Sequence, residues 1–217
     1  MSGTARFHAL ISGAASCEPY NDALLSFPEW LVAPTLGAIV PNWLLIIPRK
    51  PALNFRSWGS RAGQRPEELV AAVQSHLHLD PEETIWFEHG PSVAGSLVGC
   101  GLDHAHIHMI VRPPFTFDSV AVEAERMCPH LSWSRNTGRP YDNIPHDRSY
   151  FVLGSGERFM IATDVESAGS QYLRRVISFM ARNPFEWDFN KYPHNANIEL
   201  TIATFRELES APRVQSE

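Results

Sequence analysis

Three histidines at two-residue spacing, His104, His106 and His108, sit inside the largely apolar run Gly101-Leu-Asp-His-Ala-His-Ile-His-Met-Ile-Val-Arg112. Two is the side-chain period of a β-strand. The spacing therefore predicts a strand with all three imidazoles on one face and Ala105, Ile107 and Met109 on the other. Imidazole serves as nucleophile, proton carrier and metal ligand near neutral pH, so a row of three is first a statement about chemistry.

The chain has 217 residues, 44% hydrophobic and 11% aromatic, enough to bury a substantial core in one domain or in one domain plus an extension. Its most apolar stretch, Val40 to Ile47, contains Pro41 and Asn42 and falls short of the ~20 apolar residues of a membrane span. Phe7 to Cys17 faintly resembles a lipoprotein signal, but it carries His8, a single preceding Arg6, and Ala14 where a larger aliphatic residue is usual. Cys17, Cys100 and Cys128 are too few and too scattered for a disulfide framework, so a reducing cytoplasm and no membrane attachment are expected. A formal net charge of −6 argues against binding of polymeric nucleic acid, which draws its affinity from a basic surface. It leaves room for a small phosphorylated ligand held by local basic residues such as Arg49-Lys50, Arg112 or Arg174-Arg175.

The useful division falls near residue 115, after the histidine segment ends in Arg112-Pro-Pro114. Ahead of it, Ala23 to Val32 reads as a strand or strand pair interrupted by Pro28, Pro34 to Pro41 as a turn, and Trp43 to Ile47 as a short buried strand. Pro66 to Leu79 reads as a helix, with proline at N1, acids in the first turn, and Leu69, Val73 and Leu77 on one face. Thr84 to Phe87 reads as a strand, and Glu88 to Gly101 as a glycine-rich loop delivering the chain into the histidines. Beyond 115 the expectations are a helix from Phe117 to Met127, an irregular stretch to His146, and a hairpin pairing Tyr150–Leu153 with Arg158–Ala162. A helix from Ser170 to Ala181, a tryptophan-bearing loop, and a helix from Asn197 to Glu209 complete the pattern.

The His-apolar-His-apolar-His run at the end of a glycine-rich loop resembles the signature of the histidine triad superfamily of nucleotide hydrolases and transferases. Upstream, Val32-Ala-Pro-Thr-Leu-Gly-Ala-Ile-Val-Pro-Asn-Trp-Leu-Leu-Ile-Ile-Pro-Arg-Lys50 is similar to the family's proline turn and following strand. The Val-Gly-Cys-Gly lead-in is also similar to the branches holding galactose-1-phosphate uridylyltransferase and dinucleoside tetraphosphate phosphorylases. Those branches end their motif in Gln, whereas this chain has His108, which favours the hydrolytic side. The resemblance implies an α+β fold, a histidine-triad-like antiparallel sheet with flanking helices. Residues 1–115 would form the nucleotide-binding catalytic domain, and 116–217 an α+β extension packed on it.

By the same resemblance, His106 attacks the α-phosphorus of a nucleoside-phosphate conjugate and becomes a nucleotidyl-histidine, with no cofactor and no metal. His104 and His108 flank the phosphorus. A neutral imidazole is a competent nucleophile near pH 7, provided that one ring nitrogen is free and the other N–H is held. Ser96, Gly99 and Gly101 supply small residues whose backbone can approach phosphate oxygens, or else simply a tight turn before a strand. Thr35 falls where many relatives carry an acidic residue for the ribose hydroxyls, and Pro51 where many carry a further histidine. His89 reads either as a phosphate-side residue or as a solvated loop histidine. Gln171 and Arg174 lie three apart on one helical face and reach either a leaving-group phosphate or only solvent. Relatives form two-fold homodimers through an extended sheet; here the extension is an alternative cover for that edge.

Two rival readings remain. A metal-dependent hydrolase would use the histidine row with Asp103, His130, His146 or His194 as further ligands. A non-catalytic nucleotide-binding module would keep the pocket without turnover, and Thr35 and Pro51 are its support.

Overall fold

The computed structural model describes residues 3–13, 18–99 and 102–211. Their framework is one eight-stranded sheet. Its strands are β1 (Leu25–Ser26), β2 (Trp30–Pro34), β3 (Trp43–Pro48), β4 (Thr84–Gly90), β5 (Ile107–Val111), β6 (Trp133–Thr137), β7 (Tyr150–Ser155) and β8 (Arg158–Thr163). The spatial order is β1-β2-β3-β5-β4-β7-β8-β6, and every neighbouring pair is antiparallel. With its helices this makes an α+β fold. The sheet crosses the expected boundary at 115 without a break, because β7 pairs with β4 from Trp86↔Gly154 to Gly90↔Tyr150.

Alternation along the strands builds a core on each face. Val32, Leu44, Ile46, Trp86, Ile107 and Met109 pack beneath α2 (Phe55–Ala62) and α3 (Pro66–His76) through Phe55, Leu69 and Val73. On the opposite face, Trp43, Ile85, Phe87 and Ile110 pack beneath α4 (Phe117–Met127) and α5 (Tyr172–Met180). Further along that face, α1 (Gly3–Ser12) lays Phe7 and Leu10 on Leu31, Ala33, Leu45 and Ile47. The last helix, α6 (Asn195–Ser210), reaches both cores with Ile198 and Phe205. Among the described residues no helix is long and apolar enough to cross a membrane.

Local chemistry explains where these elements start and stop. α3 begins on Pro66 with Glu67 and Glu68 in its first turn, as its sequence predicts. The β7–β8 hairpin also falls where expected, with Gly154 inside β7. The Trp86 ring covers it so closely that a Cβ there would meet the indole at 2.4 Å. α2 has no counterpart among the sequence expectations; Asn54 caps it by accepting from Ser57 N at 2.8 Å, and Gly63 ends it at φ 67°. Two expectations are corrected. β6 lies in the stretch expected to be irregular, an almost wholly exposed edge strand with no apolar alternation to announce it. The second concerns the histidines themselves: only His108 lies in a strand, since β5 begins at Ile107.

The reason is the end of the neighbouring strand. β3 pairs with β5 as far as Ile46↔Ile107, then stops at Pro48, and the amide of Ala105 turns to the Ala52 carbonyl instead. The two-residue alternation nevertheless persists through this lead-in. Ala105, Ile107 and Met109 are buried together in one core, and the imidazoles face the other way.

Candidate active site

Beside the histidines, Leu45 of β3 and His108 of β5 contribute to the wall of a cavity of about 280 Å³, just beyond the end of β2. His106 and His108 line it with Thr35, Leu36, Leu45 and Leu102, while Arg6, Phe7, Tyr20, Arg174 and Phe189 come from outside the sheet. His106 donates from Nδ1 to the His104 carbonyl at 2.9 Å, an acceptor that fixes the tautomer and leaves the Nε2 lone pair free of its proton. The ring packs against Phe7, at 5.3 Å between centroids, and against His108 at 4.9 Å. Burial, with smaller contributions from Arg174 and Arg6, pushes its pKa down to about 4, so it is neutral at pH 7.

His108 has the opposite tautomer. The Trp43 indole N–H donates to its Nδ1 at 3.1 Å, so the ring proton sits on Nε2. That atom is buried and has no hydrogen-bond partner among the described residues. Burial, reinforced by His106 and Arg174, holds this imidazole neutral, well below its usual pKa. His104 differs again: its Nε2–H donates to the Pro48 carbonyl at 2.7 Å, and its ring is not part of the cavity wall. Its contribution to the cavity is the carbonyl that orients His106.

Of the other sequence-predicted residues, Thr35 and Arg174 line the cavity. Both are buried, and the expectation of a surface Gln171–Arg174 pair is overturned, since Gln171 is 6% and Arg174 2% exposed. α5 packs Arg174 against the sheet. Arg174 donates to the Gly37 carbonyl at 2.6 Å and to the Trp187 carbonyl, and its guanidinium lies 4.9 Å from the Trp43 ring centroid. Gln171 instead occupies the left-handed N-cap position of α5, outside the cavity wall. His89 is not a solvated loop residue. It lies buried in β4, where its Nε2 accepts from the Leu173 amide at 3.0 Å and anchors the start of α5. Ser96 and Gly99 stay in the preceding loop, where Ser96 Oγ accepts from Val98 N and the Gly99 carbonyl accepts from Leu102 N. Gly101 lies outside the described residues, as do Cys17 and Cys100.

Sequence reading missed Arg6, Phe7 and Phe189. The signal for Phe7 was present: Phe7, Leu10 and Ile11 follow helical spacing, and all three pack in the satellite core. The metal-ligand candidates are dispersed. Asp103 accepts from Gly95 N, His130 bonds Ser167, and His194 faces Glu186. Among the described residues no three His, Cys, Asp or Glu side chains are grouped to hold a metal ion.

No family model and no curated protein matches the chain by sequence. Among solved structures, it is similar to yeast Ap4A phosphorylase Apa2, a structure in complex with Ap4A, at 13% identity and a TM-score of 0.38. The match covers 70% of this chain and 65% of that one, so the chain spans just under two thirds of that protein's length.

Proposed function

We propose that the chain is a nucleotidyl hydrolase or transferase that works through a covalent nucleotidyl-histidine on His106. The observation that carries this reading is the Nδ1–H hydrogen bond from His106 to the His104 carbonyl, which prepares a neutral imidazole with its lone pair on Nε2 at the wall of a cavity. Nε2 attacks the α-phosphorus of a nucleoside-phosphate conjugate, forming a P–N bond as the bond from phosphorus to the leaving oxygen breaks. Water or an acceptor hydroxyl then attacks the same phosphorus and the P–N bond breaks, which returns the imidazole.

His108 serves as a hydrogen-bond donor in this scheme. Its Nε2–H is oriented by the Trp43 indole and meets the charge that develops on a phosphoryl or leaving-group oxygen. His104 acts through its backbone as a positioning residue. Arg6 and Arg174 add fixed positive charge to the cavity wall without protonating the nucleophile, since burial already holds His106 neutral. No resident metal or cofactor takes part.

The test is to incubate wild type and His106→Ala with nucleotides labelled at the α-phosphate and to look for acid-labile label on the protein. Labelled wild type and an unlabelled variant, with turnover down on the order of 10⁴-fold, are expected. Label retained by His106→Ala would remove it as the nucleophile. Activity lost on chelation and restored by zinc would replace covalent catalysis with metal hydrolysis.

A further inference from the structure

On the nucleotide reading above, the cavity wall holds a second polar corner besides the histidines. The chain segment from Pro34 to Gly37 is gripped by a guanidinium at each end: Arg6 Nη2 donates to the Pro34 carbonyl at 2.7 Å, and Arg174 Nη2 to the Gly37 carbonyl at 2.6 Å. Thr35 and Leu36, between those carbonyls, face the cavity. Arg6 is 5% exposed and spends its other bonds on Asn21 Oδ1 and the Tyr20 carbonyl. All its acceptors are neutral, and among the described residues no carboxylate pairs with it; Glu18, the one carboxylate in the cavity wall, is exposed. Thr35 is 1% exposed, and its hydroxyl has no hydrogen-bond partner among the described residues.

A buried cation solvated only by neutral acceptors, next to a buried hydroxyl without a partner, is an unbalanced arrangement for a protein interior. An anionic oxygen would complete both: it accepts from Thr35 Oγ1 and compensates the charge of Arg6 in a site of low dielectric. This corner is also where the sequence resemblance puts the ribose contact, and where many relatives carry an acidic residue for its hydroxyls. A carboxylate reads a neutral diol; a guanidinium and a hydroxyl read an anion.

We propose that Arg6 and Thr35 form a second anion subsite on the sugar side of the cavity, so that the preferred ligand carries a phosphate or carboxylate there in addition to the phosphate that reacts at His106. A nucleoside 3′,5′- or 2′,5′-bisphosphate supplies the phosphate form of that chemistry. A 5′-monophosphate bearing a carboxymethyl ether on a ribose hydroxyl supplies the carboxylate form.

Binding is measured by calorimetry on the full chain, with adenosine 5′-monophosphate, 5′-diphosphate, 3′,5′-bisphosphate, 2′,5′-bisphosphate and the sugar-carboxymethylated 5′-monophosphate as probes. At least one sugar-side dianion is expected to bind about tenfold or more tighter than the monophosphate, and the phosphate and carboxylate probes distinguish the two forms. Arg6→Gln should remove most of that preference and Thr35→Val part of it. Thr35→Val deletes only a hydroxyl that has no partner among the described residues, so it keeps the test open if Arg6→Gln does not fold. Equal binding of mono- and bisphosphates would overturn the subsite while leaving the nucleotide reading intact. A preference for the 5′-diphosphate alone would move the second anion to the leaving-group side and also overturn it. Arg6-dependent binding of sugar-side dianions without any label on His106 would sustain the subsite and defeat the catalytic reading, and failure of every probe to bind would defeat both.

Discussion

Two neighbouring residues of β4 point to opposite faces of the sheet, and their surroundings differ in one respect that separates scaffold from site. Glu88 is completely buried on the face of α2. Its Oε1 accepts from Phe55 N at 2.6 Å, and its Oε2 accepts from the hydroxyls of Tyr141 and Tyr150 at 2.9 and 2.8 Å. Tyr150 reaches it because its ring fills the place where a Cβ on Gly90 would stand. On the face of His89, the polar groups at the cavity are as deeply buried but incompletely bonded: His108 Nε2 and Thr35 Oγ1 have no partner among the described residues. A buried polar group whose partners are all protein atoms holds the fold together. Two without a partner among the described residues that also line one cavity, as His108 Nε2 and Thr35 Oγ1 do, mark where a ligand atom can complete them.

Breaking the closed side should have the largest effect. Glu88→Ala leaves two buried tyrosine hydroxyls and one amide without their shared acceptor, at a cost of about 3 kcal/mol or more in urea-unfolding stability. A loss under 1 kcal/mol would mean that the cluster is not the clamp described. The same residue sets a pH signature. Burial, partly offset by the three donors, raises the Glu88 pKa to about 7 from an ordinary 4.5. The folded state therefore binds this proton more tightly than the unfolded one. That contribution is complete below pH 4.5 and is lost as the pH rises through 7, on the order of 3 kcal/mol in all. Unfolding of wild type and Glu88→Gln compared from pH 4.5 to 8 should show the variant gaining relative stability as pH rises, and parallel curves would contradict it.

On the open side the effects should be smaller and mostly kinetic. Trp43→Phe keeps most of the buried bulk but removes the donor that fixes the His108 tautomer, so turnover should fall about tenfold with little change in KM. An unchanged kcat would separate His108 from the reaction. The acid limb of kcat/KM should lie near pH 4 rather than 6.5, because burial lowers the His106 pKa to about 4. Smallest of all is the stability change of Thr35→Val: neutral, or a gain of up to about 1 kcal/mol, as a buried hydroxyl without a partner is exchanged for a methyl. A clear destabilisation by calorimetric melting would show that the hydroxyl is structural and erase the contrast with Glu88.

The legible parts of the sequence were those whose signal is local. Pro66 with two acids, the apolar run at Trp43, the paired segments around Gly156, and the two-residue period of the histidines each specify a structure within a few residues. Parts decided by distant packing were not legible. His104 and His106 left the strand because Pro48, more than fifty positions away, ends the partner strand. Arg174 looked like a surface residue until α5 was laid against Trp43 and Gly37, and Arg6 had no reason to be near either. α2 is the exception: Asn54 and Gly63 bracket it with readable caps, but its apolar residues, Phe55 and Trp58, are too few to announce a periodic face.

The adjacency of Glu88 and His89 has a consequence for how this chain can change. Because strand side chains alternate, inserting or deleting one residue between Thr84 and Glu88 while keeping the pairing to β5 would exchange their faces. A carboxylate would enter beside the imidazoles, and an imidazole would enter the tyrosine clamp. The length of that short segment is therefore as much a part of the chemistry as the histidines, although none of its residues lines the cavity.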